Sequence, residues 1–460
     1  MGTPDAPTHD QRAQPDVRSA LSPARMRLLR ELVEQAEKRG WHAYLVGGLV
    51  RDWLLGHPSL DMDVVFQGRH GVWTAPVIAQ AIQRQLGGRV QVHRAFGTAT
   101  WYLPSRSRLA QRLGVPQHEA NAWPDHIDLV TARRERYPQP AALPQVQPGS
   151  LLSDLYRRDF TINAMALPLS PSGPQALLDP FHGQDDLRQR RLRALHPFSF
   201  RDDPTRLFRG ARYLRRYAMT WDPETQAQIA EGLRYLDRVS GDRIRHELDR
   251  ILDETKPAEP IAQLGMDGVA TRVGPGLPTD ADTLRRLRSI PEIWDRGAGR
   301  AWGLPKAEDR RLIGYALWWL TLPEDTLQRL CHRLACPGRL RDITQAAAEL
   351  WRNRTRWQEM RPGALALFLD RYPEHAIAAV ALALPQDQRA RLDLYLRQAR
   401  GLPPLLTGHD LRAMGLKPGP HIGQLLRELR AAQVEGRVRT RDEALAYVQA
   451  WLQSHSGTSG

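Results

Sequence analysis

One short segment, residues 45–66, constrains the fold and the chemistry of this chain more than any other. It reads LVGGLVRDWLLGHPSLDMDVVF, an apolar run followed by two glycines, a basic residue and an Asp-x-Asp pair. Its glycine and charged positions are Gly47, Gly48, Arg51, Asp52, Asp61 and Asp63. Because alternate residues of a strand point to the same face, we expect Asp61 and Asp63 to present two carboxylates to one place.

The same segment has the chemistry of a phosphate site. Glycines just before a helix let backbone N–H groups approach phosphate, where the helix N-terminus adds favourable partial charge. Hard divalent cations such as Mg²⁺ prefer carboxylate oxygens. Taken singly, a Gly-Gly pair is typical of a turn and an Asp-x-Asp pair of a solvated strand end. Their order and spacing within one segment favour a site for a nucleoside triphosphate.

This segment resembles the signature of the nucleotidyltransferase superfamily, and within it the bacterial (class II) tRNA CCA-adding enzymes and poly(A) polymerases. The resemblance implies an α+β fold, in which an N-terminal nucleotidyltransferase head with a mixed β-sheet and helices precedes all-α neck, body and tail domains. It also implies that Asp61 and Asp63 are catalytic and hold Mg²⁺.

The charge of the chain favours an anionic polymer as partner. The formal net charge is +14, and almost all the basic residues are arginine. A GC-rich genome would explain the excess of arginine over lysine, but not the net sign. Excess positive charge favours phosphate contacts, with release of counterions. The composition therefore makes RNA binding plausible without indicating which RNA is bound.

The sequence contains little that indicates a membrane or an oxidising compartment. Mean hydropathy is −0.50, and no run approaches the roughly 20 apolar residues of a membrane helix. Cys331 and Cys336 are the only cysteines, too few for a disulfide framework or a zinc cluster. We therefore expect a cytoplasmic protein, with no membrane contact and no protein partner implied.

Strand patterns are confined to the first part of the chain. A helix is predicted over 26–40, strands in WHAYLVGG, DMDVVF, RVQVHRAFGTATWYL and HIDLVTARR, and a helix in APVIAQAIQRQLGG. The polar stretch 104–126 is expected to interrupt the sheet as an insertion, and amphipathic helices follow from about residue 197. A chain of this length should divide into several domains. We predict a disordered tail 1–24, a catalytic head 25–196, a neck with the nucleobase template 197–255, a helical body 256–400 and a tRNA-binding tail 401–455.

Two further blocks add polar groups to the head. Asp128, in HIDLVTARR, is a candidate third carboxylate, although a strand-end or salt-bridged aspartate is an equal interpretation of the residue alone. RRDFTINAMA indicates the start of an apolar helix, with Thr161 as candidate N-cap and Asp159 near the positive helix end. Arg158 differs, because a guanidinium suits a triphosphate. The block resembles the family's second motif, which implies that Arg158 contacts the nucleotide and that Asn163 helps order the site.

The block RDDPTRLFRGARYLRR repeats charged residues at every third position. We expect them along one side of a helix, and they are Asp203, Arg206, Arg209 and Arg212. A solvated basic face is the simpler interpretation, but the intervening apolar residues leave the charged side free to face a pocket. The family usually has Glu-Asp at the head of this motif, where this chain has Asp202-Asp203.

In the related enzymes this Asp and Arg read the nucleobase. Asp203 can accept from the amino group that cytosine and adenine share, while Arg206 donates to the neighbouring ring nitrogen. Uracil and guanine reverse that pattern and would leave a buried charge unpaired, at a cost of about 1–3 kcal/mol.

Two later segments are assigned less specifically. The turn and helix in 178–195 are expected to be structural and to join head and neck. Residues 406–445 are similar to the tail of these enzymes, where glycines and prolines place a helix N-terminus beside basic groups that suit RNA phosphate. A helix-turn-helix packing module is an equal interpretation.

The resemblance implies that the tRNA 3′ end is extended from CTP or ATP, with Mg²⁺ as cofactor. The catalytic residues would be Asp61, Asp63 and Asp128. The nucleotide-binding residues would be Gly47, Gly48, Arg51, Asp52, Arg158, Asn163, Asp203, Arg206, Arg209 and Arg212.

Addition of CCA, or of its terminal A, is favoured over addition of CC. Relatives restricted to CC are expected to have a shortened loop before the RRD motif, whereas RRERYPQPAALPQVQPGSLLSDLY is full length. A poly(A) polymerase or a CC-adding enzyme of the same family is the alternative, and outside the family a non-catalytic RNA-binding protein. A small-molecule nucleotidyltransferase would need neither the block RDDPTRLFRGARYLRR, which reads the nucleobase in the related enzymes, nor the helical body.

Overall fold

A computed structural model describes most of the chain. The described residues are 21–57, 62–69, 71–274, 277–295 and 297–455. Asp61 and most of the predicted tail 1–24 lie outside these ranges. The chain divides into two compact units, Met1–Val239 and Ser240–Gly460. The predicted head lies in the first unit and the predicted body and tail in the second, while the predicted neck spans the boundary.

The first unit contains all the described strands. They are β1 (His42–Val46), β2 (Asp63–Gln67), β3 (Arg89–His93), β4 (Thr98–Tyr102), β5 (His126–Thr131), β6 (Arg133–Arg136), β7 (Gln145–Pro148), β8 (Ala166–Ser170), β9 (Gly173–Pro174), β10 (Arg191–Leu192) and β11 (Thr220–Trp221). A mixed sheet has the order β3-β4-β5-β2-β1-β8-β9, with β6-β7 and β10-β11 as separate pairs. This confirms the predicted α+β head.

The sheet gathers several chain segments at one edge. Strand β1 is antiparallel to β2 and β8, and β2 is parallel to β5. The end of β1 therefore lies beside the starts of β2, β5 and β8. Strand β4 is antiparallel to β5, so its end reaches the same edge.

The described part of the first unit also contains ten α-helices. They are α1 (Pro23–Glu37), α2 (Gly48–Leu54), α3 (Thr74–Leu86), α4 (Arg106–Leu113), α5 (Leu151–Tyr156), α6 (Gly183–Arg188), α7 (Ser199–Asp202), α8 (Arg206–Arg216), α9 (Pro223–Ala227) and α10 (Ile229–Arg234). The helix predicted over 26–40 begins earlier, because Ser22 caps it and Pro23 suits its first turn. Val65 of β2 packs with Leu151 and Leu155 of α5.

The structure corrects two predicted helices. After the RRD triplet the chain makes one 3₁₀ turn, Thr161–Asn163, and then enters strand β8 instead of a helix. Thr161 is therefore not a helix N-cap; its hydroxyl donates to Asp186 Oδ2 at 2.7 Å. Helix α8 begins only at Arg206, and Asp203 precedes it in extended conformation with φ −136°. Asp203 thus does not share a helix with the arginines.

The stretch 104–126 is more than a polar insertion. It contains α4 and a 3₁₀ turn at Glu119–Ala122, and it joins β4 to the adjacent β5. Leu109, Ala120 and Trp123 are completely buried within it. The sequence does not reveal this buried side of the stretch, because its few apolar residues are spread among many polar ones.

The described elements of the second unit are all helical, and a π-helical turn at Tyr395–Ala399 is among them. Its helices are α11 (Gly241–Leu252), α12 (Ala258–Met266), α13 (Val269–Val273), α14 (Ala281–Asp295), α15 (Ala298–Ala301), α16 (Ala307–Trp318), α17 (Glu324–Arg333), α18 (Gly338–Arg352), α19 (Arg354–Gln358), α20 (Pro362–Leu369), α21 (Glu374–Ala383), α22 (Gln386–Leu394), α23 (Gly408–Ala413), α24 (Pro420–Val434) and α25 (Arg441–His455). Helices α23 to α25 enclose one apolar cluster that includes Leu411, Leu425 and Val448, as a packing module requires. None of the described helices is both long and apolar enough to span a membrane.

Candidate active site

Two carboxylates face each other on neighbouring strands. Asp63 begins β2 and lies directly opposite Asp128 of the parallel strand β5. Residues opposite one another in a sheet project from the same face, and both line one cavity of about 420 Å³. Thr100 Oγ1 donates to Asp128 Oδ1 at 2.7 Å and fixes that carboxylate. Asp61, the other member of the predicted pair, lies outside the described residues, and within the described residues no group of three or more His, Cys, Asp or Glu side chains that could hold a metal ion is found.

The glycine turn joins one of these carboxylates to the RRD block. Gly47 follows β1 with φ +73°, a conformation that favours glycine. A Cβ on Gly47 would lie 2.8 Å from Arg158 Nη1 and 3.9 Å from Asp63 Oδ2. Gly48 begins α2, and a Cβ there would lie 3.4 Å from Arg51 Nη2. The turn, Asp63 and Arg158 therefore converge at one place, as the sequence predicts.

Arg51, Asp52 and Asn163 form a network behind this turn. Arg51 is only 4% exposed. Its Nη1 donates to Asn163 Oδ1 at 2.7 Å and its Nε to Asp52 Oδ1 at 2.9 Å. Tyr217 covers the guanidinium at 4.7 Å from its ring centroid and donates to Asp52 Oδ1. This arrangement ties α2 to the RRD segment and to α8.

A buried aspartate that the sequence analysis missed anchors the RRD block. Asp154 accepts from Arg157 Nη2 at 2.7 Å and from Arg158 Nη2 at 3.0 Å. Burial alone would raise the pKa of Asp154, but the two arginines outweigh burial and hold the pKa below its usual value. Asp154 precedes Arg157 and Arg158 by three and four residues, a helical spacing that identifies the pairing in retrospect.

The block RDDPTRLFRGARYLRR is organised around Asp203 and Arg209. Asp203 Oδ2 accepts from Arg209 Nη2 at 2.9 Å, and its Oδ1 accepts from Thr205 Oγ1 at 2.6 Å. Arg209 Nη1 also lies 3.4 Å from Asp159 Oδ2. Asp159 accepts in turn from Asn163 Nδ2 at 2.9 Å, so the RRD block and the block that contains Asp203 form one polar network.

Arg206 and Arg212 have different surroundings. Arg206 is buried, and it donates from Nη1 to Ser199 Oγ and from Nη2 to the backbone oxygen of Arg157, both at 2.6 Å. Arg212 is half-buried, with its guanidinium 5.2 Å from the Tyr213 ring centroid. Asp203 and Arg206 are thus brought to the same region, and the backbone N–H of Arg206 donates to the backbone oxygen of Asp203 at 3.0 Å.

Comparison with known proteins identifies the family. A family model described as "Poly A polymerase head domain" matches residues 43–193, and one for "tRNA nucleotidyltransferase domain 2" matches 401–448. A third, "Probable RNA and SrmB-binding site of polymerase A", matches 218–279. The A-adding tRNA nucleotidyltransferase of Halalkalibacterium halodurans is 32% identical over 93% of this chain and 92% of its own length.

The chain belongs to the tRNA nucleotidyltransferase family.

The same family includes relatives of different sub-activity. The CC-adding tRNA nucleotidyltransferase of Deinococcus radiodurans is also 32% identical, over 89% of both chains. Among solved structures, the apo form II of a CCA-adding enzyme matches with a TM-score of 0.76 and 26% identity, over 94% of this chain and 97% of that one. The comparisons confirm the predicted family and enzyme class, and equal identity to A-adding and CC-adding relatives leaves the added nucleotides open.

Nucleotidyltransferases of this kind generally use divalent metal ions. The donor set at the sheet edge fits such an ion, because Asp63 and Asp128 supply carboxylate oxygens to one cavity.

Proposed function

We propose that this nucleotidyltransferase adds CCA, or the terminal A of CCA, to the 3′ end of tRNA, using CTP and ATP as donors. The observation that carries the proposal is the convergence of Asp63, Asp128, Gly47 and Arg158 at one edge of the sheet. Relatives named for addition of A and of CC support a tRNA substrate. Such a substrate and such donors imply a cytoplasmic enzyme.

Asp61, Asp63 and Asp128 would hold Mg²⁺. Bound ions of this kind stabilise charge on the attacking and leaving oxygens of an in-line phosphoryl transfer. Thr100 donates to Oδ1 of Asp128 and would keep that carboxylate in place beside the cavity that it lines together with Asp63.

The triphosphate would lie against the Gly47 turn. Gly47 and Gly48 allow close approach of the backbone, and Arg158, held by Asp154, supplies a charged donor beside them. Arg51, Asp52 and Asn163 are also assigned to nucleotide binding. Because Arg51 is buried in a network with the other two, it would act mainly by fixing the turn.

The base would be selected by Asp203 and Arg206. Asp203 accepts from the amino group of cytosine or adenine, and Arg206 donates to the ring nitrogen. Arg209 would hold the Asp203 carboxylate in position, since it already donates to it at 2.9 Å. Arg206 would have to exchange its bonds to Ser199 and Arg157 for the base, and Arg212 would add positive charge nearby.

The reaction follows from these positions. The tRNA 3′-hydroxyl attacks the α-phosphorus of the bound nucleotide and gives up its proton to solvent. The bond from the α-phosphorus to the oxygen that bridges it to the β-phosphorus breaks, and pyrophosphate leaves. Arg158 stays beside the leaving phosphates and compensates their charge. The template residues keep the base, and hence the α-phosphorus, in line with the hydroxyl.

The loop before the RRD motif favours CCA or terminal A addition over CC addition. Its residues form the β6-β7 hairpin and α5, and Arg157, the first residue of the RRD motif, pairs with Glu135 of β6 at 3.0 Å. Because a shortened loop is expected in relatives restricted to CC addition, a loop of this length favours the complete or A-adding activity.

The decisive experiment gives the purified protein tRNAs that end before CCA, after C, and after CC, with CTP, ATP or both. Complete addition predicts extension of all three, whereas terminal A addition predicts extension only of tRNA ending in CC, and only by ATP. Extension of the first two by CTP with no use of ATP would establish CC addition instead. A long run of A would establish poly(A) synthesis, and no extension at all would favour a non-catalytic RNA-binding protein.

The carboxylate assignment has its own test. Asp63→Asn and Asp128→Asn should each reduce incorporation by roughly 100-fold or more, since ligation of the ions supplies several kcal/mol and about 1.4 kcal/mol corresponds to tenfold. Asp185→Asn, an exposed change in the same unit, is the control. Near-normal turnover by Asp63→Asn would remove Asp63 from the site.

A further inference from the structure

The connection between β4 and β5 is much longer than the sheet requires. Tyr102 at the end of β4 pairs with His126 at the start of β5. Two such antiparallel strands are usually joined by two to five residues. Here residues 103–125 intervene, and they carry helix α4 and a 3₁₀ turn.

This connection is held rigidly against α1. Trp123 is completely buried, and its Nε1 donates to the backbone oxygen of Ala24 at 2.8 Å. Arg25 Nε donates to the backbone oxygen of Ala122 at 2.9 Å. Arg27 Nη1 donates to that of Gly114 at 2.7 Å. A connection fixed at several points provides a stable surface rather than a loose loop.

One face of the connection forms a wall of the catalytic cavity. Arg106, Asn121 and Asp125 line the same cavity as Asp63 and Asp128. Arg106 Nη2 donates to Asp125 Oδ1 at 2.7 Å and to the backbone oxygen of Trp123 at 3.1 Å. Its side chain is 40% exposed, and a guanidinium has five N–H donors, so it is placed to meet an anion that enters the cavity.

The order of the strands indicates whether Arg106 meets the triphosphate or the attacking RNA strand. Along the edge, the Gly47 turn lies on one side of Asp63, while Asp128 and then the connection lie on the other. In an in-line displacement the attacking and leaving oxygens are on opposite sides of the phosphorus. If the leaving phosphates lie at Gly47 and Arg158, the attacking strand enters from the side of the connection.

We propose that residues 103–125 form a platform for the 3′ end of the tRNA, and that Arg106 binds a phosphodiester of its last nucleotides. This inference rests on the proposed function, because it needs the triphosphate at the Gly47 turn. Asp125 competes with the phosphodiester for Arg106 and limits the strength of the contact. Arg106 therefore acts on the nucleic acid and not on the incoming nucleotide.

The test compares Arg106→Ala with Arg108→Ala, which removes an exposed arginine from the same helix. Arg106→Ala should raise the KM for tRNA about five-fold and leave the KM for CTP and ATP unchanged. The salt dependence of tRNA binding should fall by about 0.7 in the log–log slope, the value for one phosphate contact on a single strand. Arg106→Lys should restore part of the affinity, and Asp125→Ala should lower the KM for tRNA.

Several results would overturn the proposal. The proposal is wrong if Arg106→Ala has the same KM for tRNA as Arg108→Ala, or if it raises the KM for the nucleotide instead of the KM for tRNA. A rise in tRNA KM for Asp125→Ala equal to that for Arg106→Ala would indicate that the pair only supports the fold. The proposed function fails separately, if the unmodified protein extends no tRNA.

Discussion

The backbone of Gly47 packs directly against the guanidinium of Arg158. A Cβ at residue 47 would lie 2.8 Å from Arg158 Nη1, well inside ordinary contact distance. The two residues are more than a hundred positions apart in the chain, and antiparallel pairing of β1 with β8 brings their segments together. Arg158 can therefore occupy this position only because residue 47 has no side chain.

Gly47→Ala should impair nucleotide binding beyond its effect on stability. A non-glycine residue in the left-handed region costs about 1–2 kcal/mol, and the added methyl group must also displace Arg158. We expect the KM for CTP and ATP to rise at least several-fold. The matched control is Gly56→Ala, because Gly56 has the same φ of +73° with no atom within 4 Å of an added Cβ. Both variants should lose free energy of unfolding because of the positive φ, and Gly47→Ala should lose more because Arg158 must also move. Equal nucleotide KM values for the two variants would contradict the contact.

Asp203→Asn should relax the selection of the base. An amide can donate as well as accept, so it can pair with the carbonyl oxygen of uracil where a carboxylate cannot. We expect the ratio of kcat/KM for CTP over UTP to fall by roughly tenfold, in line with about 1–3 kcal/mol for an unpaired buried group. Single-nucleotide incorporation measures the ratio, with Asp185→Asn as the exposed control. An unchanged ratio would argue that Asp203 only caps the turn before α8.

The sequence indicates the elements at the site better than their arrangement. The glycine turn, the strand that begins at Asp63 and the strand that contains Asp128 are all recognisable from local pattern. That Asp63 and Asp128 are opposite each other depends on β2 lying beside β5, although β3 and β4 come between them in the chain. Such pairing is set by tertiary packing, which periodicity does not report.

The errors have physical causes as well. AMALPLS after the RRD motif is a short apolar run, and such runs fit a buried strand and a helix equally. Pairing of Ala166 with Val46 decides for the strand. Spacing alone predicts Asp203 on a helix, but its carboxylate accepts from Thr205 N and Oγ1 in a local turn before α8. Aspartate often makes such local bonds to neighbouring backbone instead of joining a helix.

Asp154→Asn should destabilise the first unit strongly. Asp154 is fully buried between Arg157 and Arg158, and removal of one partner of a buried ion pair costs about 3–5 kcal/mol. Arg158 would also lose its anchor, so the KM for the nucleotide should rise. Urea unfolding measures the first effect and initial rates the second. Asp185→Asn removes an exposed pair with Arg188, and its free energy of unfolding should change by less than about 1 kcal/mol.

Acid should destabilise the first unit in two separate pH ranges, and the upper one depends on His196. Burial, with Arg206 and Arg201 nearby, lowers the pKa of His196 from its usual 6.5 to about 4. Between these values the unfolded chain binds a proton that the folded protein does not, so stability rises with pH across this range. The contribution is complete above pH 6.5 and lost as the pH falls toward 4. The lower range, below the usual 3.8 of aspartate, belongs to Asp154 and Asp159, whose pKa values are lowered in spite of burial by their arginine and hydrogen-bond partners.

His196→Gln separates the two ranges. The variant lacks the titrating imidazole, so its free energy of unfolding should vary less between pH 6.5 and 4 than that of the unmodified protein, while the loss below pH 3.8 remains. Urea unfolding at half-unit intervals of pH measures both slopes. His42→Gln removes an exposed histidine from β1 and should keep the original slope. If His196→Gln keeps that slope too, the acid sensitivity originates elsewhere in the unit, and the cationic surroundings of His196 do not govern it.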